Sequence, residues 1–353
     1  MFYLVPFIGI SIFCLFDIEA KDTRTLVFGG ICICLILLAG FRGDSVDKDY
    51  PLYLEYFNAV PAGITFTAPE GYLAEPFYTF IPSLVKLIGL NVACVFFIYA
   101  LLGVSIKSIV IVRSTPFIFL ALLVYYSNFF LLHEMTQIRI GVAFGIFLLG
   151  IPFIIERRLF PYTCLILLAV CFHFSATIYW GIYFLGHRRF NKIFYTSLLV
   201  LVLPIAILKI DMLSILRVLP LGVFTEKIEF YYGAMSDGTF ESTINVLNVM
   251  TLVNIFLCII CVWKIDLLQK HFVYAALFVK MYIISLLLFV CFSFMPPLAF
   301  RFKELFEAVQ ILLIPQLVFL FREKYTGRLV VVAISFILFF INVFHTELVK
   351  AYF

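Results

Sequence analysis

The chain has 353 residues, of which 64% are hydrophobic and only 13% charged, with a formal net charge of +4. A soluble domain carries about a quarter charged residues, so this composition excludes an ordinary soluble fold. No basic stripe suggests a nucleic-acid partner, and continuous apolar runs exclude a membrane β-barrel, whose strands alternate.

Apolar runs of roughly bilayer-spanning length recur along the chain. In chain order, spans are predicted near 2–16, 25–41, 91–106, 116–132, 140–155, 193–210, 245–263, 272–294, 305–321 and 329–345. The first lacks a basic start and a small-residue cleavage site, so it reads as a retained span. Residues 76–90 are apolar but short and carry Lys86, so they either lie in the interface or cross obliquely. Residues 159–186 are too long for one ordinary span and short for two. They read either as one tilted helix or as two half-helices meeting at His173. The expected fold is all-α: a polytopic integral membrane protein of about ten to twelve transmembrane helices, forming a single transmembrane domain over residues 1–353.

Lysines and arginines in short loops set orientation. One set of loops carries Lys21 and Arg24, Lys107 and Arg113, Arg157 and Arg158, Arg188 and Arg189, Lys264 and Lys270, and Arg322 and Arg328. These define the cytoplasmic side. The intervening segments 42–75, 133–139, 211–244 and 295–304 then face outward, and 42–75 and 211–244 are the long outer loops. Within the first, residues 50–57 have helical spacing, with Tyr50, Tyr53, Leu54 and Phe57 on one face. The nine cysteines form no disulfide framework. Cys258-Ile-Ile-Cys261 has redox or zinc spacing but no second ligand pair, and is assigned to packing.

Four polar constellations carry chemistry. The first is Arg42 with Asp44, Asp47, Asp49 and Tyr53, just past the second apolar run. Arginine offers a planar fork that fits phosphate oxygens, and a carboxylate can orient a hydroxyl or take its proton. Asp47-Lys48-Asp49 has a D-x-D form, a weak cation-site signal by itself. The second is His133-Glu134-Met135-Thr136-Gln137-Ile138-Arg139. Arg139 stands at a helix start, where the dipole opposes a cation, which points to an anionic ligand or a carboxylate partner. The third is His173 within Phe172-His173-Phe174-Ser175-Ala176, read equally as a packing hydrogen bonder or as a cap reaching the site. The fourth is Pro296-Pro297-Leu298-Ala299-Phe300-Arg301-Phe302-Lys303-Glu304, where a proline pair restarts a helix and is expected to turn Arg301 and Lys303 toward the outer headgroups. No Ser-His-Asp order and no H-E-x-x-H pattern is present.

With Asp49-Tyr50-x-x-Tyr53-x-x-x-Phe57, Glu75-Pro76-Phe77-Tyr78, Ile138-Arg139-x-x-Val142-Ala143, His173-Phe174-Ser175-Ala176 and a late arginine before Leu313-Ile314-Pro315, the chain resembles the Wzy/EpsG-type bacterial polysaccharide polymerases. The resemblance spans about residues 25 to 320. It implies a multi-pass protein of the bacterial inner membrane with its polar site on the periplasmic face. It implies glycosyl transfer from undecaprenyl diphosphate onto a lipid-linked repeat unit, without metal or cofactor, and membrane lipids and a chain-length regulator protein as partners. Arg139, Asp49, Glu75 and His173 are the expected catalytic residues. Arg42, Tyr50, Tyr53, Arg301 and Lys303 are the expected substrate-binding residues, the two tyrosines by stacking on sugar. Asp49 leads as acceptor-side base, with Glu75 and His173 as rivals. Competing classes are an O-antigen ligase, a lipid-linked oligosaccharide flippase and a polysaccharide O-acyltransferase.

Overall fold

The structure is a computed structural model that describes residues 2–16, 18, 20–44, 46–208, 244–293 and 295–350. The outer loop expected at 211–244 lies outside them except for its last residue. Among the described residues the protein is helical, with no strand, as the composition predicts. Four helices are long and apolar enough to cross a membrane, 21–40, 92–114, 138–155 and 324–345. Val249–Trp263 and Ile265–His271 together are apolar enough for a fifth span but are bent by 74° at the break between them, the geometry of a broken span or a re-entrant loop. Shorter apolar helices match the spans expected near 2–16, 116–132, 193–210 and 272–294 and both halves of 159–186, whereas the span expected at 305–321 is broken into the end of Pro296–Glu307, Gln310–Leu313 and the 3-10 segment Ile314–Leu320. The chain forms two compact units, Met1–Gly186 with Ile314–Phe353, and His187–Leu313.

The first unit opens with α1 (Leu4–Leu15), α2 (Lys21–Gly40), α3 (Tyr50–Ala59), α4 (Pro76–Leu87) and α5 (Val92–Ser114). Glycine lets α2 and α5 approach closely, since a Cβ on Gly40 would lie 2.9 Å from the Phe97 backbone. Proline opens both α3 and α4, where its fixed φ suits the first turn. Asn91 caps α5 by accepting from the Ala93 N–H at 3.1 Å. Residues 76–90 thus resolve into one short helix, Pro76–Leu87.

The fourth predicted span is one apolar helix of three parts. Beyond α6 (Ile118–Val124), residues Tyr125–Phe130 widen into a π turn, and α7 (Leu131–His133) ends it. The π turn is held from another segment: the Asn342 amide donates to the Ser127 carbonyl at 3.1 Å and to Asn128 Oδ1 at 3.0 Å. After a break at 134–137 comes α8 (Ile138–Ile155), the most buried span. α9 (Leu159–Phe172) packs back on α8, with Tyr162 filling the space over Gly150. Residues 159–186 are therefore two pieces meeting at His173, the second being a 3-10 turn, α10 (Tyr179–Ile182) and another 3-10 turn. The unit closes with a 3-10 segment, Ile314–Leu320, and α17 (Lys324–Phe340).

Lys107 is a correction. The sequence reading placed it in a cytoplasmic loop, but α5 continues to Ser114 and encloses it, with no solvent exposure. A buried partner makes this tolerable. Glu134, assigned to an outer loop, is that partner. Its Oε1 also accepts from the Tyr125 hydroxyl at 2.8 Å, and the Lys107 ammonium donates to the Gly141 carbonyl at 2.7 Å. Gly103 makes room, because a Cβ there would lie 2.1 Å from Glu134 Oε2.

The second unit holds α11 (Lys192–Leu208), α12 (Val249–Trp263), α13 (Ile265–His271), α14 (Ala275–Cys291), α15 (Pro296–Glu307) and α16 (Gln310–Leu313). Asn248 caps α12 at the Thr251 N–H, 2.9 Å. Within the unit, Asn254 Oδ1 accepts from Tyr282 at 2.7 Å and from Gln310 at 2.8 Å, and Gln310 also donates to Glu307 at 3.0 Å. Cys258 and Cys261 are buried and free, which agrees with a packing role.

Candidate functional site

Glu75 is the hub of the first unit. It precedes Pro76, so its backbone is extended (φ −69°, ψ 152°) and its side chain stands at the mouth of α4. His173 ends α9 in an equally extended conformation (φ −156°, ψ 120°). The ring of Phe77 stacks on Phe172 at 4.6 Å and so fastens the start of α4 to the end of α9. That contact brings together residues 98 apart in sequence. Glu75 Oε1 lies 2.9 Å from His173 Nδ1 and accepts from the Phe174 N–H at 3.2 Å, while Oε2 accepts from Arg139 Nη1 at 2.6 Å.

The electrostatics assign the protons. Burial alone would raise the Glu75 carboxyl, but the His173 hydrogen bond and the Arg139 charge outweigh it and hold it down at about 2. An ionised Glu75 accepts only, so Nδ1 of His173 donates to it, and in the neutral imidazole the lone pair is then on Nε2. Nε2 is buried and has no hydrogen-bond partner. The His173 side chain keeps 12% of its exposure and Arg139 keeps 29%, whereas Glu75 keeps 4%. The cluster is half open: its carboxylate and His173 Nε2 are sealed, the rest of the imidazole is slightly exposed, and the guanidinium is at the edge.

Arg139, second residue of α8, also lies over the Tyr78 ring at 4.2 Å. The carboxylate partner that its helix-start position called for is Glu75. Tyr53 stands edge-on to the same Tyr78 ring at 5.9 Å. Burial pushes the Tyr53 hydroxyl up to about 12 against the pull of Arg139, so it is a phenol at neutral pH. Arg42 covers Phe96 at 4.0 Å and Tyr53 stands edge-on to that ring, which places the first constellation beside the second.

Arg42 itself is enclosed. Its Nε donates to Asp47 at 2.7 Å, its Nη1 to the Ala39 carbonyl at 2.9 Å, and its guanidinium covers Phe96 at 4.0 Å. Asp47 Oδ1 accepts from the Asp49 N–H at 2.9 Å. One half of the D-x-D pair is therefore committed to protein partners, and among the described residues no group of three or more histidines, cysteines or carboxylates is placed to hold a metal. Asp49 is half-buried at the start of α3. Tyr50 lies against Phe96 at 4.9 Å, and Tyr53 stands edge-on to Tyr78 and Phe96.

In the second unit Arg301 is exposed, whereas Lys303 is buried. Residues two apart on a helix do not share a face. Lys303 pairs with Glu307 at 3.7 Å and lies over Phe289 at 4.8 Å, so it does not turn to the headgroups as expected. Sequence reasoning missed Tyr56, Thr79 and the Phe174 N–H. Tyr56 and Thr79 share a buried hydrogen bond of 2.7 Å behind the site, and neither residue type signals this in sequence.

The sequence matches the family model of the EpsG family over residues 25–352, nearly its whole length. That match points to a glycosyltransferase of the polysaccharide-polymerase type. No curated protein and no solved structure matches the chain.

Proposed function

Because the chain belongs to the EpsG family, we propose that it is a polysaccharide polymerase of the bacterial inner membrane. It moves a growing glycan from undecaprenyl diphosphate onto a lipid-linked repeat unit at the periplasmic face. The observation that carries this reading is the Glu75–His173 pair beside a half-exposed Arg139.

The step we assign is a displacement. The acceptor hydroxyl gives its proton to His173 Nε2, and its oxygen bonds to the anomeric carbon of the donor. The bond from that carbon to the diphosphate oxygen breaks, and the electron pair leaves with the lipid diphosphate. Arg139 offers its open donors to that growing charge, and Glu75 holds the imidazolium that forms. Arg42 and Asp47 keep the chain that carries Asp49 and Tyr53 beside them. We place the base at His173 ahead of Asp49, since a lone pair fixed by a buried carboxylate meets the geometric need of a general base. The guanidinium supplies the positive charge, so the reaction proceeds without a divalent ion, and purified enzyme is expected to keep its activity in EDTA. Loss with EDTA and rescue by magnesium would establish a metal-dependent transferase instead.

Lipid-linked products from a deletion strain test the reading. Loss of a polymerase leaves single repeat units on the acceptor. Long chains accumulating on undecaprenyl diphosphate would instead identify a ligase, and undecaprenyl-linked repeat units trapped on the cytoplasmic side a flippase.

A further inference from the structure

Tyr50 and Tyr53, the rings expected to receive sugar, are both occupied by protein, and Tyr53 is buried. Of the two exposed rings in this segment, Phe66 (51%) stacks on Phe80 at 4.6 Å and has no polar handle, which leaves Tyr72, 39% exposed. A tight turn presents it: the Tyr72 N–H donates to the Pro69 carbonyl at 3.1 Å, and Gly71 adopts φ +85°, a conformation that L side chains rarely take. The Tyr72 hydroxyl donates to Oε1 of Glu55 at 3.0 Å, and Glu55 is itself exposed on α3. Inward from Tyr72 the rings are continuous. Tyr72 stands edge-on to Tyr56 at 5.3 Å, Tyr56 stacks on Tyr78 at 4.1 Å with only 10° between planes, and Tyr78 lies under Arg139.

We propose that Tyr72 and Glu55 form the subsite for a sugar ring of the incoming repeat unit. A pyranose has an apolar face of C–H groups and a rim of hydroxyls. An exposed aromatic ring fits the first, and a carboxylate oxygen accepts from the second. The pair stands two ring contacts from the guanidinium beside Glu75, which is the reach of a short oligosaccharide whose reacting hydroxyl lies at His173. Glu55 is kept off the reaction by that same distance, so its work is to select and orient. This inference rests on the polymerase reading, because that reading makes the ligand a glycan.

The test uses full-length protein in nanodiscs and two readouts. Saturation-transfer NMR follows the free repeat-unit oligosaccharide, prepared by hydrolysing the host's own polysaccharide. Steady-state kinetics follow the lipid-linked repeat unit. Tyr72→Ala and Glu55→Gln are expected to raise the acceptor KM about tenfold with kcat changed by less than about threefold, and Tyr72→Phe to keep a KM within about threefold of wild type. The oligosaccharide signal should vanish in Tyr72→Ala and persist in His173→Ala. An unchanged KM and NMR signal in Tyr72→Ala overturns the proposal, and Tyr72 is then an interface anchor. Oligosaccharide bound through Tyr72 by a protein that makes no polymer would keep the subsite and overturn only the polymerase reading.

Discussion

Two ion pairs flank the start of α8, and they are built to opposite designs. Lys107 and Glu134 are wholly enclosed, and both side chains have zero exposure. Their polar contacts go to Tyr125 and to the Gly141 carbonyl, all of it protein. Arg139 and Glu75 meet as closely, but the arginine keeps part of its fork in the open and a histidine shares the carboxylate. The first pair joins the break at 134–137 to α5 and so sets where α8 begins. The second uses that start to hold a cation next to an imidazole. Burying a charge costs several kcal/mol unless it is paired, so the closed pair is a structural commitment and the half-open pair is a chemical one.

The comparison breaks most visibly at Lys107. Lys107→Met leaves Glu134 buried without its cation and should destabilise the protein by about 3–5 kcal/mol. In detergent, thermal unfolding should show little folded material, and Lys107→Met with Glu134→Gln should recover much of the loss. Normal stability of the single variant would show that the closed pair is not structural.

In the half-open pair, variants should fold and fail to react. His173→Ala should lower polymerisation by about 10²–10⁴-fold, as loss of a general base does, while the melting temperature stays near wild type. Asp49→Asn should cost far less. If Asp49→Asn abolishes chain extension and His173→Ala does not, the base belongs to the first constellation.

Arg139→Lys keeps the charge and loses the fork that can hold Glu75 and a phosphate together. It should slow polymerisation by about 30- to 1000-fold, equivalent to about 2–4 kcal/mol of barrier. Near wild-type polymer would mean that charge alone suffices there.

The smallest effect is in pH. Glu75 titrates at about 2 in the folded protein against an ordinary 4.5, so its contribution is complete above 4.5 and disappears as pH falls through 2. The difference in melting temperature between wild type and Glu75→Gln should therefore persist from pH 8 down to pH 5 and shrink below that. A difference that shrinks already between pH 8 and pH 6 would contradict an ionised Glu75 held by Arg139 and His173.

Half of the open pair was legible in sequence and the closed pair was not, for a physical reason. Arg139 at a helix start is a local conflict, visible from neighbours alone, whereas Glu75 was singled out only by the family resemblance. Their meeting with each other and with His173 depends on α4, α8 and α9 packing together, which no spacing encodes. Lys107 was misread because the apolar run before it already had spanning length, so the lysine looked like the start of a loop. Lys303 was misread for the opposite reason: its place beside Arg301 suggested a shared role, while helix geometry gave them different faces. The helical class followed from composition, and the length of 159–186 left half-helices at His173 as one of two readings, but the π turn was not legible, because it has the same hydropathy as a straight helix.

The π turn at Tyr125–Phe130 has a consequence for tolerance to length change. Such a turn carries one residue more than the α-helix around it needs. Loss of one residue there would let the backbone relax into regular helix with the downstream side chains nearly in phase, whereas loss of one residue from regular α6 would swing every downstream side chain by about 100°. His133 and Glu134 are downstream, so the carboxylate would leave Lys107 although its own sequence neighbours were unchanged. The wide turn thus takes up a change of length that the helix before it would pass on to the closed ion pair, and Asn342 fastens that turn from the far end of the chain.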